Sequence, residues 1–224
     1  MGIIGEMSIE MGLSTDVPVG EGNPVEVTAL GHYENKDGKK WQRNVLFPSR
    51  FQGNITVWGI DESFAEMLTG MIRALQPQIV LETGTNRGRS TKAIAQGLAL
   101  NDRGLMYTVD VEDHNIHTSG ALEEDQKQRV RFIQGKTPEV FDDFVLKELY
   151  GIDFAFLDGV HTAEGVSAEL KYVEEHCSDE CTVLIDNTRD DGWADLTEFM
   201  VNYKDHPSIT IPTMSGTTII QMRK

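Results

Sequence analysis

Residues 79 to 91 read IVLETGTNRGRST. An apolar run rich in β-branched residues ends in Glu82, Gly84 and Gly88 follow with three residues between them, and a helical pattern starts at about residue 89. The run suits a strand buried on both faces, and the glycines suit a tight turn into a helix. Strand, glycine turn and helix together open a βα unit, so the flanking sequence should repeat that alternation.

It does. Further strands are expected at LMYTVDV (105 to 111), VRFIQ (130 to 134), IDFAFLD (152 to 158) and TVLID (182 to 186), with helices at about 89 to 100, 138 to 149, 163 to 176 and 193 to 204. The connection from 111 to 129 is polar and only weakly helical. Before the first strand, DESFAEMLTGMIRALQP (61 to 77) has a capping Asp61, apolar residues at helical spacing and a terminating Pro77. Apolar strands separated by helices predict an α/β fold, a Rossmann-like doubly wound and mostly parallel sheet with helices on both faces. SITIP and GTTIIQMRK, separated by TMSG, read as a hairpin, so the last strand is expected to run antiparallel at the sheet edge.

Residues 1 to 60 differ in character: Gly and Pro are frequent and no helical period is sustained. VEVTALGHYENKDGKKWQRNVLF predicts a hairpin around NKDG. The expected organisation is an N-terminal extension over 1–60, serving as a lid or a dimer contact, and one domain over 61–224.

In such a sheet ligands bind beyond the carboxyl ends of the strands, where Glu82, Asp110, Asp158 and Asp186 end four of the five parallel strands. The dinucleotide fingerprint G-x-G-x-x-G fails, because position 86 is Asn. An acid two residues before Gly84 would also repel a phosphate, and it suits a cofactor with a cationic portion. Asp110 is placed to accept hydrogen bonds from ribose hydroxyls. The stretch LDGVH (157 to 161) adds an acid and an imidazole at one strand end. One plain reading has Asp158 capping the next helix and His161 in its first turn. The other gives both residues chemistry.

Composition narrows the partners. With 36 acids against 20 bases, a net charge of -16 repels phosphate backbones and anionic lipid headgroups, so neither nucleic acid nor a membrane surface is an expected partner. No apolar stretch approaches the ~20 residues needed to span a bilayer, and the first residues lack the basic and apolar regions of a leader, so a cytoplasmic protein is expected. Cys177 and Cys181 have no second ligand pair and read as reduced thiols.

These motifs resemble the class I S-adenosylmethionine-dependent methyltransferases. The likeness is to the metal-dependent O-methyltransferases of the catechol and caffeoyl-CoA type and to the antibiotic-sugar O-methyltransferases, and it runs from about Asp61 onward. LETGTNRGRST matches the family's L-E-x-G-x-x-x-G-x-S. The resemblance implies that Glu82 and Gly84 face the methionine part of the cofactor, with Thr85, Asn86 and Ser90 also contacting it. YTVDVED carries the ribose acid to Asp110, and IQGKTPEV the adenine loop to Thr137. In LDGVH it makes Asp158 a metal ligand beside the cofactor and His161 the base, and in TVLIDNT it adds Asp186 and Asn187 to the metal site.

The chemistry is coherent. Hard oxygen donors suit Mg2+, or Mn2+ or Ca2+, which lowers the pKa of an acceptor hydroxyl while an adjacent imidazole takes the proton. The implied activity is O-methylation of a small-molecule hydroxyl acceptor: a sugar, a diol or a catechol-like compound. Asp190 or Asp191 could replace Asn187, Trp193 could wall the acceptor, and His114 and His117 follow the second strand. Trp41 and Trp58 fall in the extension, where a homodimer contact is an option. The alternatives are a cofactor-assisted hydroxylase with a redox metal, a nicotinamide-dependent oxidoreductase, and a catalytically silent S-adenosylmethionine-binding protein.

Overall fold

A computed structural model describes residues 9–10, 27–34, 40–47, 60, 62–113, 122–189, 191–213 and 215–224. The chain divides into two units, Met1–Val57 and Trp58–Lys224. In the first, β1 (Ile9–Glu10) pairs antiparallel with β2 (Val27–Glu34), and β2 with β3 (Lys40–Phe47), in a register running from Val27 opposite Phe47 to Glu34 opposite Lys40. The expected hairpin is present.

The second unit is a seven-stranded sheet of β4 (Ile79–Thr83), β5 (Leu105–Asp110), β6 (Val130–Gln134), β7 (Ile152–Leu157), β8 (Cys177–Ile185), β9 (Ser208–Ile211) and β10 (Thr217–Arg223). Its order is β6-β5-β4-β7-β8-β10-β9. The first five strands in this order are parallel, and β10 runs antiparallel to both β8 and β9. The chain order reverses beside β4, so the crevice for a ligand falls at the ends of β4, β5 and β7.

Alternate strand residues serve opposite faces, as a period of two requires. Leu81, Val109, Ala155, Leu157, Val183 and Ile185 join one core with Val166, Leu170 and Val173 of the helix α3 (Ala163–His176). Val80, Met106, Phe154, Phe156 and Leu184 join the other, with Phe64, Leu68 and Ile72 of α1 (Glu62–Leu75) and Ile94 and Leu98 of α2 (Arg89–Leu100). Two fully covered faces explain why these strands read as unbroken apolar runs.

Three sequence expectations need correction. The last strand lies inside the sheet, because β10 inserts between β8 and β9, and β9 forms the edge. The helix expected at 138 to 149 is broken into a 3-10 turn (Glu139–Asp142) and a single α turn (Phe144–Lys147). Asp143 causes the break: its backbone is extended, and its carboxylate accepts from the Val145 N–H at 2.9 Å, capping the second turn. Finally, β8 starts at Cys177, five residues earlier than expected, and its irregular pairing with β7 between Ile152 and Phe154 absorbs the polar stretch before Thr182. The helix expected at 193 to 204 is α4 (Ala194–Asn202).

Candidate active site

At Gly84 the ends of β4 and β7 touch. Gly84 has φ +86°, and a Cβ there would lie 2.4 Å from the Asp158 carbonyl oxygen. The facing Gly159 would bring a Cβ to 3.1 Å from the Gly84 nitrogen. Only glycine permits both the left-handed backbone and this approach. The Gly84 N–H donates to the Val109 carbonyl at 2.8 Å and the Asp158 N–H to the Thr83 carbonyl at 3.0 Å, so three strand ends are fixed by backbone bonds.

Around this contact lies a cavity of about 210 Å³. Gly84, Asn86, Asp110, Thr137 and Asp158 line it together with Thr83, Gly135 and Lys136. The sequence-predicted contacts at the ends of β4, β5, β6 and β7 therefore meet in one place. The Asn86 N–H donates to one Asp110 oxygen at 2.8 Å and the Glu112 N–H to the other at 3.0 Å, which orients that carboxylate at the cavity wall.

Glu82, Thr85 and Ser90 are placed differently: all three are buried and none lines the cavity. Glu82 Oε2 accepts from Thr91 Oγ1 at 2.6 Å and from Thr108 Oγ1 at 2.5 Å, and the Thr85 and Thr108 hydroxyls are 2.6 Å apart. Burial raises the Glu82 carboxyl to about 7, against the hydroxyls of Ser90, Thr108 and Thr91, which favour its ionised form. The network lies under the glycine turn and braces it.

A second group of sequence-predicted residues stands at the ends of β7 and β8. Thr162 Oγ1 accepts from the Gly165 N–H at 3.2 Å and caps α3, while the Ala163 N–H donates to Asp195 Oδ2 at 3.1 Å. Asp158 is thus not the cap of the following helix, and His161 precedes the helix rather than sitting in its first turn. His161 Nε2 stands 3.9 Å from Asp158 Oδ1, and the His161 ring lies 5.0 Å from that of Trp193, whose side chain reaches solvent. Burial, and then the negative charges of Asp186, Glu82 and Glu169, hold the Asp158 carboxyl well above the ordinary range.

Asp186 is buried, and its Oδ1 accepts from Thr217 Oγ1 at 2.8 Å and Ser215 Oγ at 3.1 Å. Beyond it Asn187 has φ +61°, while the N–H groups of Thr188 and Arg189 donate to the carbonyls of Gly216 and Ser215 at 3.0 and 2.9 Å. The insertion of β10 beside β8 therefore fixes the Asp-Asn pair. Among the described residues no group of three or more His, Cys, Asp or Glu side chains is arranged to hold a metal ion. Asp158, Asp186 and Asn187 carry hard oxygen donors of the kind a divalent cation takes, and the charge of Asp186 adds to burial in raising the Asp158 carboxyl. His114, His117 and Asp190 fall outside the described residues, as does the side chain of Asp191.

Sequence reading did not find Glu169. It is fully buried on α3, where Oε1 accepts from Thr137 Oγ1 at 2.6 Å and Oε2 from Thr83 Oγ1 at 3.3 Å. Burial lifts its carboxyl to about 7, with the Thr137 and Thr83 hydroxyls pulling the other way. The available signal was an acid standing on the helix face that also carries Val166, Leu170 and Val173.

The mostly parallel sheet closed by an antiparallel pair is a Rossmann-like fold of the kind found in methyltransferases. Comparisons agree. Residues 81–188 match the model of a family described as a methyltransferase domain. The structure is similar to an O-methyltransferase of Bacillus cereus solved with S-adenosylhomocysteine, at TM-score 0.62 and 15% identity over 76% of this chain and 85% of that one. It is also similar to the O-methyltransferase TomG of Streptomyces achromogenes, involved in tomaymycin synthesis and solved with S-adenosylmethionine, at TM-score 0.58 and 16% identity over 74% and 82%. A third similar structure is the S-adenosylhomocysteine-bound methyltransferase PaMTH1 of Podospora anserina, at TM-score 0.57 and 20% identity over 74% and 80%. No curated protein matches the sequence. Among the described residues no helix is long and apolar enough to cross a membrane.

Proposed function

We propose that the protein transfers a methyl group from S-adenosylmethionine to a hydroxyl oxygen of a small acceptor such as a sugar, diol or catechol-like compound. The observation that carries this reading is the cavity that Gly84, Asp110, Thr137 and Asp158 line together from four strand ends. Asp110 would accept the ribose hydroxyls, with its carboxylate already oriented by the Asn86 and Glu112 amides. Thr137 would border the adenine, and the backbone at Gly84 and Asp158 would flank the methionine part.

S-adenosylmethionine supplies an electrophilic methyl on a sulfonium, and a divalent cation supplies acidity to an acceptor hydroxyl. The residues that would hold the cation are Asp158, Asp186 and Asn187. His161, beside Asp158 and backed by Trp193, would take the acceptor proton on its imidazole as the oxygen attacks. Trp193 would offer the acceptor an apolar wall. The acidic composition argues against a nucleic-acid partner.

The test is methyl transfer from labelled S-adenosylmethionine to a panel of hydroxyl acceptors, with and without chelator. Turnover should vanish in chelator and return with magnesium, while S-adenosylhomocysteine binding survives. Full turnover in chelator would remove the cation from this scheme.

A further inference from the structure

Burying a carboxylate on the apolar face of a helix costs free energy that a leucine at the same place would not. Glu169 is such a residue, fully buried among Val166, Leu170 and Val173 of α3. Its two oxygens are directed at two hydroxyls from separate strand ends, those of Thr137 after β6 and Thr83 at the end of β4. Both threonines line the cavity, Thr83 next to Gly84 and Thr137 next to Lys136. Strand β5 lies between β4 and β6 in the sheet. The carboxylate is therefore a cross-brace between the two loops that would grip opposite ends of the cofactor.

We infer that Glu169 is a positioning residue for cofactor binding, holding the Thr137 loop and the Thr83-Gly84 turn at the spacing the cofactor requires. This rests on the reading of the cavity as the S-adenosylmethionine site. Glu169 itself does not line the cavity, so its effect passes through the two hydroxyls. A carboxamide could keep the geometry: its oxygen accepts from Thr137 while its N–H donates to Thr83 Oγ1.

The experiment is calorimetric titration of the full chain with S-adenosylhomocysteine, for wild type, Glu169→Leu, Glu169→Gln, Thr137→Val and the Glu169→Leu/Thr137→Val pair, with thermal melting in parallel. Glu169→Leu should weaken binding about ten-fold or more, because the Thr137 and Thr83 hydroxyls lose their shared partner at once. Glu169→Gln should bind within a few-fold of wild type. The double variant should be little weaker than the worse single one, because both changes cut the same link. Thr137→Val and Glu169→Gln leave the apolar packing of α3 in place and keep the question open to decision if the leucine variant does not fold. Wild-type affinity in Glu169→Leu, or in Thr137→Val, would overturn the positioning role alone. An amide variant as weak as the leucine one would assign the requirement to charge and overturn it too. No binding by wild type would overturn both this inference and the cofactor reading.

Discussion

At the ends of β4 and β6 the buried acids are met by hydroxyls: Glu82 by Thr91 and Thr108, Glu169 by Thr83 and Thr137. At the end of β7 the charges acting on Asp158 are Asp186, Glu82 and Glu169, all negative. Asp186 itself has one oxygen engaged by Ser215 and Thr217. Neutral donors satisfy a carboxylate without competing for a ligand, and they fix shape. Like charges held together raise each other's pKa and are relieved by a cation. The hydroxyl-met acids thus fix the shape of the strand ends, while burial and neighbouring acids press Asp158 toward its neutral form.

Breaking the contact between the ends of β4 and β7 should have the largest effect. Gly84→Ala forces a Cβ against the Asp158 carbonyl on a left-handed backbone, and about 2 to 5 kcal/mol of destabilisation follows from strain and overlap together. Calorimetry should then detect no cofactor binding, with a lowered melting temperature. A variant that binds normally would mean that the two strand ends move apart easily.

A change confined to the end of β7 should separate binding from turnover. His161→Ala is expected to lower kcat by about 10² to 10⁴, the range for a positioned base, with S-adenosylhomocysteine affinity nearly unchanged. The acidic limb of the rate profile should disappear with it. Wild-type turnover would place the base elsewhere.

The smallest effect belongs to the hydroxyl-met acids and concerns stability. Glu82 has its folded pKa raised from 4.5 to about 7, so the folded form holds the proton more tightly than the unfolded chain. That contribution is fully present below about 4.5 and is lost as pH rises through about 7. Melting temperature should therefore fall over this window. Glu82→Gln should flatten the fall, because the amide stays neutral, while Glu169 leaves a remainder with the same sign. A Gln variant with the wild-type pH dependence would show that Glu82 titrates normally.

The parallel strands were legible because each is apolar on both faces, and the strand-end acids because a carboxylate closing such a run has no packing explanation. Gly84, Asp110, Thr137 and Asp158 meet as a result. Less legible was what depends on distant pairing. The place of β10 inside the sheet follows from its partners on β8 and β9, not from its own pattern. Glu82 reads as a cofactor contact from its position at a strand end, yet the side chain points into a threonine network that only the fold assembles. Glu169 was hidden for the same reason, since its partners lie 32 and 86 residues away. The N-cap of α3 by Thr162 is local, but its neighbour Asp158 offered an equally local alternative, and the structure decided between them.

The cavity at the ends of β4, β5, β6 and β7 is proposed as the place of an S-adenosyl cofactor. Calorimetric titration of the wild-type chain with S-adenosylhomocysteine, in chelator and again with magnesium, tests this most directly, with NAD as the comparison ligand. One equivalent should bind under both conditions, Asp110→Ala should lose about ten- to a hundred-fold in affinity as its charge-assisted bonds disappear, and NAD should not bind. Tight binding of NAD with no response to S-adenosylhomocysteine would contradict that placement.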